Sequence, residues 1–289
     1  MTIFSTRKRL TALAAATALT FSLAACGNGD DKDTTSESGG GDDVVTLTVG
    51  ASPVPHGDIL KYVADNLAAD AGLEIDIVEY TDYVQPNVAL SEGDLDANYF
   101  QHLPYLEAEI AEKGYDFEHF DGVHIEPYGV YSEKIDNIDD LADGAKVGIN
   151  NDPSNQARAL DLLVQAGVLD AVDAEDPSIA DYEANPQANP KNLEFVESEA
   201  AALPRLLPDL DIALLNGNYA LEGGLQPSTD AILLEDGKGN PYANLVAYKA
   251  DSDKIDALKK LDELLRSPEV AEYITSTWAD GAVIPAFDY

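Results

Sequence analysis

Arg158 is the most informative residue of this sequence, because the chain is rich in acids and poor in arginine. The 289-residue chain has 54 acids and a net charge of −37, and beyond residue 26 its only arginines are Arg158, Arg205 and Arg266. Arg158 lies in "INNDPSNQARAL", which has the pattern of a strand end, a turn and a helix start. Its guanidinium fork matches a carboxylate bidentately. This segment could therefore hold an anionic group.

The helix that carries Arg158 has clear start signals. Asp152 can accept hydrogen bonds from the free amides at the helix start, and Pro153 fits the first helical position. Asn155 and Arg158 are three residues apart, so they share one helix face near the positive end of the helix dipole. That position favours an anion. The alternative is a surface arginine paired with one of the many acids.

Two asparagines are predicted at the ends of other strands. Asn216 follows an apolar run in "DIALLNGNY", and Asn244 begins one in "GNPYANLVAY". A side-chain amide offers both donors and an acceptor. Together with Arg158, these residues could bind the carboxylate and the ammonium of an amino acid.

Aromatic residues cluster at predicted junctions between strands and helices. Tyr83 lies in "YTDYVQPN", and Phe100, His102 and Tyr105 lie in "DANYFQHLPYL". Most such residues belong to a core, but rings at these junctions also line apolar ligand pockets.

The elements that would position these residues alternate between strand and helix patterns. A strand is predicted over 44–52, a helix over 57–72 and a long strand over 123–132. A second series begins with a strand over 145–150 and a helix over 153–167. This alternation favours an α/β fold with mostly parallel sheets, in which ligand crevices lie at the carboxyl ends of strands.

The N-terminus has the pattern of a lipoprotein signal. Residues 1–25 combine a basic start with an apolar run, and "LAAC" places Cys26 at the expected cleavage site. Residues 26–43 would then be a lipidated cysteine and a flexible acidic tether, which predicts a protein anchored on the extracytoplasmic face of a membrane. Cys26 is the only cysteine, so an intramolecular disulfide is excluded. The negative charge disfavours binding to nucleic acid.

Two other classes of function would require different residues. A zinc-binding importer subunit would have to use the four histidines, which are His56, His102, His119 and His124. No pair of them has the spacing of a tight metal motif. A secreted hydrolase has no support, because the chain lacks G-x-S-x-G and H-E-x-x-H. We therefore expect no enzyme activity and no cofactor.

Five segments of the chain, in order, are "TVGASPVPHGDIL", "YTDYVQPNVALSEGDLDANYFQHLPYLE", "NDPSNQARALDLL", "FVESEAAALPRLLPDLDIALLNGNYAL" and "NPYANLVAY". With these segments the chain resembles the NlpA family, the methionine-binding lipoproteins of ABC importers. The resemblance implies a two-lobed, type II solute-binding fold with two mixed sheets flanked by helices and a ligand cleft between the lobes. It places lobe I at 44–130 plus 241–289 and lobe II at 131–240.

The resemblance also implies roles for individual residues. Arg158 would clamp the ligand carboxylate with Asn155 beside it, and Asn216 and Asn244 would bind the backbone amine and carboxylate. The side chains of Tyr83, Phe100, His102 and Tyr105 would surround the thioether. The partners would be methionine and an ABC permease, with the membrane reached through the lipid on Cys26. The ligand stays open among L-methionine, D-methionine, a small methionine peptide and another apolar amino acid.

Overall fold

The computed structural model describes residues 44–289, so the predicted signal peptide, Cys26 and the tether lie outside the described residues. The strands are β1 Val45–Ala51, β2 Leu73–Glu79, β3 Ala97–His102, β4 Phe117–His119, β5 His124–Ile125, β6 Gly129–Tyr131, β7 Lys146–Asn150, β8 Glu194–Ser198, β9 Ile212–Leu215, β10 Ala231–Leu234, β11 Asn244–Lys249 and β12 Ile284–Pro285. The helices are α1 Asp58–Asn66, α2 Gln85–Glu92, α3 Leu103–Lys113, α4 Pro153–Gln165, α5 Ile179–Ala184, α6 Leu203–Leu206, α7 Gly217–Glu222, α8 Pro227–Asp230, α9 Ile255–Leu265 and α10 Pro268–Thr277.

These elements form two mixed sheets flanked by helices, as the family resemblance implies. The first sheet has the order β12-β5-β11-β3-β1-β2, with β4 paired to β11. The second has the order β10-β6-β9-β7-β8. Parallel pairing is confined to β1 with its neighbours β2 and β3 and to β7 with β8 and β9. The expectation of mostly parallel sheets is therefore wrong, because β11 and β6 pair antiparallel with their neighbours.

Helix α1 shows how the apolar spacing builds the first core. Ile59, Leu60 and Val63 recur at helical spacing, and all three are fully buried in one cluster with residues of β1. Full burial of each such side chain contributes about 1.5–3 kcal/mol. The helix ends at Asn66, earlier than predicted. Gly72, in the left-handed conformation with φ of 70°, closes the short turn that follows.

The prediction of one long strand over 123–132 is also wrong, because the two ends of this segment belong to different sheets. β5 pairs within the first sheet, whereas β6 pairs within the second. Residues 126–128 cross from one sheet to the other between them. Pro127 has no backbone N–H to donate to a ladder, which suits this interruption.

The chain crosses back between β10 and β11, over residues 235–243. The strands up to β5 and from β11 onward thus lie in the first sheet, and those from β6 to β10 lie in the second. The lobe boundaries at 130 and 240 remain a prediction. Between residues 44 and 289, no helix has the length and apolar character needed to cross a bilayer.

Candidate functional site

One cavity lies among residues from elements of both sheets, with about 340 Å³ of space not filled by atoms, part of which is open to solvent. All eight residues singled out from the sequence line it. The complete lining is Tyr83, Phe100, Gln101, His102, Tyr105, Glu126, Asn155, Arg158, Asn216, Gly217, Asn218 and Asn244.

The start of α4 has the predicted capped geometry. The Asp152 carboxylate accepts from the backbone N–H of Asn155 at 2.9 Å and from its side-chain amide at 2.9 Å. Burial raises the pKa of Asp152, and these hydrogen bonds act in the opposite direction. The cap holds Asn155 and Arg158 on a common face, and both side chains are buried at the cavity.

The Arg158 guanidinium is already paired on one edge. Its Nε donates to Glu235 Oε1 at 3.1 Å, and its Nη2 donates to Glu235 Oε2 at 2.5 Å. Nη2 also donates to the Glu126 carbonyl oxygen at 3.1 Å, and the Tyr242 ring lies 4.1 Å from the guanidinium carbon. Nη1 makes no hydrogen bond within residues 44–289. The expectation of a bidentate grip on the ligand is therefore corrected, because Glu235 occupies that edge and only Nη1 can still donate.

A chain of side-chain hydrogen bonds orients two predicted asparagines. Asn150 Nδ2 donates to Asn216 Oδ1 at 2.9 Å, and Asn216 Nδ2 donates to Asn155 Oδ1 at 2.8 Å. His102 Nε2 donates to the same Asn155 oxygen at 3.1 Å. Buried amides without partners would cost about 1–3 kcal/mol each. The network therefore fixes the orientation of each amide at the cavity.

His102 is held in a single neutral tautomer. Its Nδ1 accepts from the Tyr105 backbone N–H at 3.2 Å, so the proton is on Nε2, which donates to Asn155. Burial, followed by the positive charge of Arg158, lowers the pKa of His102 to about 3. The ring is thus uncharged at neutral pH and suits an apolar ligand atom.

Asn244 presents a hydrogen-bond donor to the cavity. Its Oδ1 accepts from His56 Nε2 at 3.0 Å, which directs its Nδ2 the other way. Within the described chain, that Nδ2 makes no hydrogen bond. Asn244 Nδ2 and Arg158 Nη1 are therefore two donors that remain for an anionic group.

Three of the predicted aromatic residues form one wall of the cavity. The Tyr83 ring centroid lies 5.9 Å from that of Phe100 and 5.9 Å from that of Tyr105, and Phe100 and Tyr105 are 6.1 Å apart. The Tyr105 hydroxyl donates to the Tyr83 carbonyl oxygen, and the Tyr83 hydroxyl donates to Asn218 Oδ1. Their polar atoms are thus satisfied, which leaves ring surface for an apolar ligand.

Sequence reasoning missed several lining residues, of which Glu126 is the most important. Glu126 is only 5% exposed, and its signal was the acid within the apolar run "VHIEPYGVY". Gly217 lies against it, since a Cβ there would be 2.6 Å from Glu126 Cβ. Gln101 and Asn218 also line the cavity and carried no distinctive signal.

The four histidines do not converge, which corrects the zinc alternative. His119 is exposed on β4, and His102 uses both ring nitrogens in the hydrogen bonds described above. Only His56 and His124 adjoin, with ring centroids 4.7 Å apart beside Glu126. His124 Nδ1 accepts from the Tyr99 hydroxyl and its Nε2 donates to Glu126 Oε1 at 2.9 Å, so its nitrogens are engaged.

Comparisons with known proteins agree with this geometry. A family model described as NlpA lipoprotein matches residues 47–287. The chain is 36% identical to a probable D-methionine-binding lipoprotein MetQ of Pasteurella multocida, over 95% of this chain and 99% of the relative. A putative lipoprotein of Actinomyces odontolyticus has a similar structure, with a TM-score of 0.80 and 51% identity over 85% of this chain and 100% of that one.

A nutrient binding protein of Burkholderia cenocepacia, whose structure is bound to methionine, has a TM-score of 0.77 and 41% identity, over 83% of this chain and 100% of that one. The family model covers far more than half of the sequence, and the curated relative matches along almost its full length. The chain therefore belongs to the NlpA lipoprotein family.

Proposed function

We propose that this chain captures methionine outside the cytoplasm and delivers it to an ABC-type permease. The name of the Pasteurella relative and the methionine in the Burkholderia structure support the ligand. The permease is the partner that the family resemblance implies. The proposed role is binding and release, without a catalytic step.

One observation carries this proposal: polar and charged groups form one part of the cavity lining and aromatic rings form another. Arg158 Nη1 and Asn244 Nδ2 are the donors for a carboxylate at the polar end. Tyr83, Phe100 and Tyr105 form the other end, where a thioether on an aromatic ring gains about 0.3–1.5 kcal/mol per contact. A zwitterion with an unbranched apolar side chain matches this division.

Hydrogen bonds across the cavity support capture by lobe closure. Tyr83 bonds to Asn218, His102 bonds to Asn155, and the Tyr219 hydroxyl donates to the Thr81 carbonyl oxygen at 3.2 Å. Each bond joins a residue near the first sheet to one near the second. We assign lobe I to 44–130 plus 241–289 and lobe II to 131–240. Exclusion of water between them would strengthen each polar contact to the ligand.

Attachment to the membrane is the other part of the proposal. The relatives are named lipoproteins, and "LAAC" in this sequence ends at Cys26. The lipid on Cys26 would keep the binding body near the permease while the acidic segment to residue 43 gives it reach.

Mass spectrometry of small molecules released from the denatured, purified protein tests the ligand directly. Methionine is the expected product. Calorimetry on protein refolded without ligand then compares L-methionine, D-methionine, a glycyl-methionine peptide and leucine. Absence of methionine from the extract, together with no heat on titration with either enantiomer, would refute the proposed ligand.

A further inference from the structure

Glu126 is the only carboxylate among the residues that line the cavity. The other acids near Arg158 and Asn155 are engaged: Glu235 pairs with the guanidinium and Asp152 caps α4. A zwitterionic ligand brings a positive group as well as a carboxylate. Burial of an ammonium without a counter-ion is strongly unfavourable.

The two oxygens of Glu126 have different environments. Oε1 accepts from His124 Nε2 at 2.9 Å and lies 3.4 Å from His56 Nε2. Oε2 is buried and makes no hydrogen bond of ordinary geometry among residues 44–289, although the Asn218 backbone N–H lies near the carboxylate and acts to lower its pKa. A buried carboxylate oxygen of this kind is costly unless a donor arrives. The asymmetry therefore indicates where a ligand donor would bind.

The surroundings of Glu126 fix its direction. Gly217 leaves space that a side chain would fill, since a Cβ there would be 2.9 Å from Oε2. His124 is itself fixed, because its Nδ1 accepts from the Tyr99 hydroxyl. His56 is fixed by its hydrogen bond to Asn244 Oδ1. The carboxylate is thus supported from behind by two neutral rings that cannot reorient freely.

We propose that Glu126 is the counter-ion of the ligand's α-ammonium group, and that His124 is a positioning residue that holds its carboxylate through Oε1. The inference rests on the proposed function, and it deepens it by requiring a free α-amino group on the ligand. Burial raises the pKa of Glu126, and an ammonium beside it favours the ionised form. Ligand and counter-ion would therefore stabilise each other's charge.

The assignment differs from the role toward the amine that the family resemblance implies for Asn216 and Asn244. Asn244 Oδ1 is used by His56, and Asn216 Oδ1 accepts from Asn150. The free group of Asn244 is a donor, which suits the carboxylate. The ammonium is left with Glu126 as its charged acceptor.

Two substitutions separate the charge of Glu126 from its shape. Glu126→Gln keeps the size and removes the charge, whereas Glu126→Asp keeps the charge and shortens the side chain. We expect Glu126→Gln to weaken L-methionine binding by at least about 30-fold and Glu126→Asp to weaken it less. Glu133→Gln, at an exposed position, is the matched control and should bind like the unaltered protein.

Desamino-methionine, which lacks the α-ammonium, provides a second readout for the same proteins. The unaltered protein should strongly prefer L-methionine to this analogue, and the preference should fall in Glu126→Gln. His124→Gln should lower the same preference, which a merely structural defect would not do because it weakens both probes equally.

The outcomes distinguish the inference from the proposed function. The counter-ion role alone is overturned if Glu126→Gln binds L-methionine as tightly as Glu126→Asp does. It is also overturned if Glu126→Gln retains the full preference for L-methionine over desamino-methionine. An unaltered protein that gives no L-methionine binding overturns both the proposed function and this inference.

Discussion

Arg158 and Glu235 form a bidentate ion pair although they lie 77 residues apart in the sequence. The two side chains are mostly buried, with 4% and 13% exposure. Glu235 is also held by the Tyr128 backbone N–H, which donates to its Oε2 at 3.1 Å. The guanidinium is therefore oriented by the protein before a ligand arrives, so less ordering is needed on binding.

Glu235→Gln should destabilise the ligand-free protein, because it leaves the buried charge of Arg158 without its partner. We expect the free energy of unfolding to fall by about 2–4 kcal/mol, measured by urea denaturation. A saturating amount of methionine should raise the melting temperature more in this variant than in the unaltered protein, since the ligand carboxylate replaces part of the lost charge. Equal stability of Glu235→Gln and the exposed control Glu133→Gln would show that the pair does not stabilise the fold.

Arg158→Ala should weaken methionine binding by about 100-fold or more, because the ligand carboxylate would be buried without its cation. Titration calorimetry measures the loss. The affinity of Arg158→Lys for methionine should lie between those of the unaltered protein and Arg158→Ala, since lysine keeps the charge without the guanidinium geometry. Arg205→Ala, at an exposed position, is the control. Tight binding retained by folded Arg158→Ala would remove the carboxylate clamp from the mechanism.

His102→Asn should make the free energy of unfolding depend less steeply on pH in the acid range. Burial lowers the pKa of His102 from 6.5 to about 3, so below about pH 6.5 the unfolded chain binds a proton that the folded protein does not. Stability is therefore lost as the pH falls from about 6.5 towards 3, by up to about 1.4 kcal/mol per pH unit for this group.

The raised pKa of Glu126 acts in the opposite direction, but it is present in both proteins and cancels in the comparison. Urea unfolding at several pH values measures the slopes. His119→Gln, which replaces an exposed ring, should keep the slope of the unaltered protein. An unchanged slope in His102→Asn would show that His102 is protonated as easily in the folded as in the unfolded state.

Cys26→Ser should move the protein from the membrane fraction to the soluble fraction, because the residue that would carry the lipid is lost. Fractionation of cells that express each form, followed by immunoblotting, measures the distribution. Methionine binding by the purified variant should equal that of the unaltered protein, since Cys26 precedes the described body. Retention of Cys26→Ser in the membrane would contradict the proposed anchor.

The site residues of α4 could be predicted because their signals are local. Asp152 and Pro153 mark the helix start, and the spacing of Asn155 and Arg158 fixes a common face whatever the helix packs against. The aromatic residues and Asn216 and Asn244 stand out by their positions at predicted strand termini, and the family resemblance adds their individual roles. All eight line one cavity, whereas the binding role of each remains a proposal.

Glu235 could not be found in the same way, because its importance depends on Arg158, 77 residues away in the chain, whereas Glu126 had a local signal as an acid within an apolar run. Among 54 acids, nothing local separates Glu235 from its solvated neighbours. The split of residues 123–132 between two sheets could not be predicted for the same reason. A run of β-forming residues predicts extended backbone, but its pairing partners β11 and β9 are distant in sequence.

Arg158 is bonded to both segments that connect the sheets, through the Glu126 carbonyl oxygen on the first crossing and the Glu235 carboxylate at the start of the second. A rotation of one sheet against the other must act on these two connectors, and it would stretch the bonds that aim the guanidinium. Such a rotation would therefore widen the cavity and weaken the anion site at the same time. If the proposed permease separates the two sheets, the ligand would be released without any contact between the permease and the ligand.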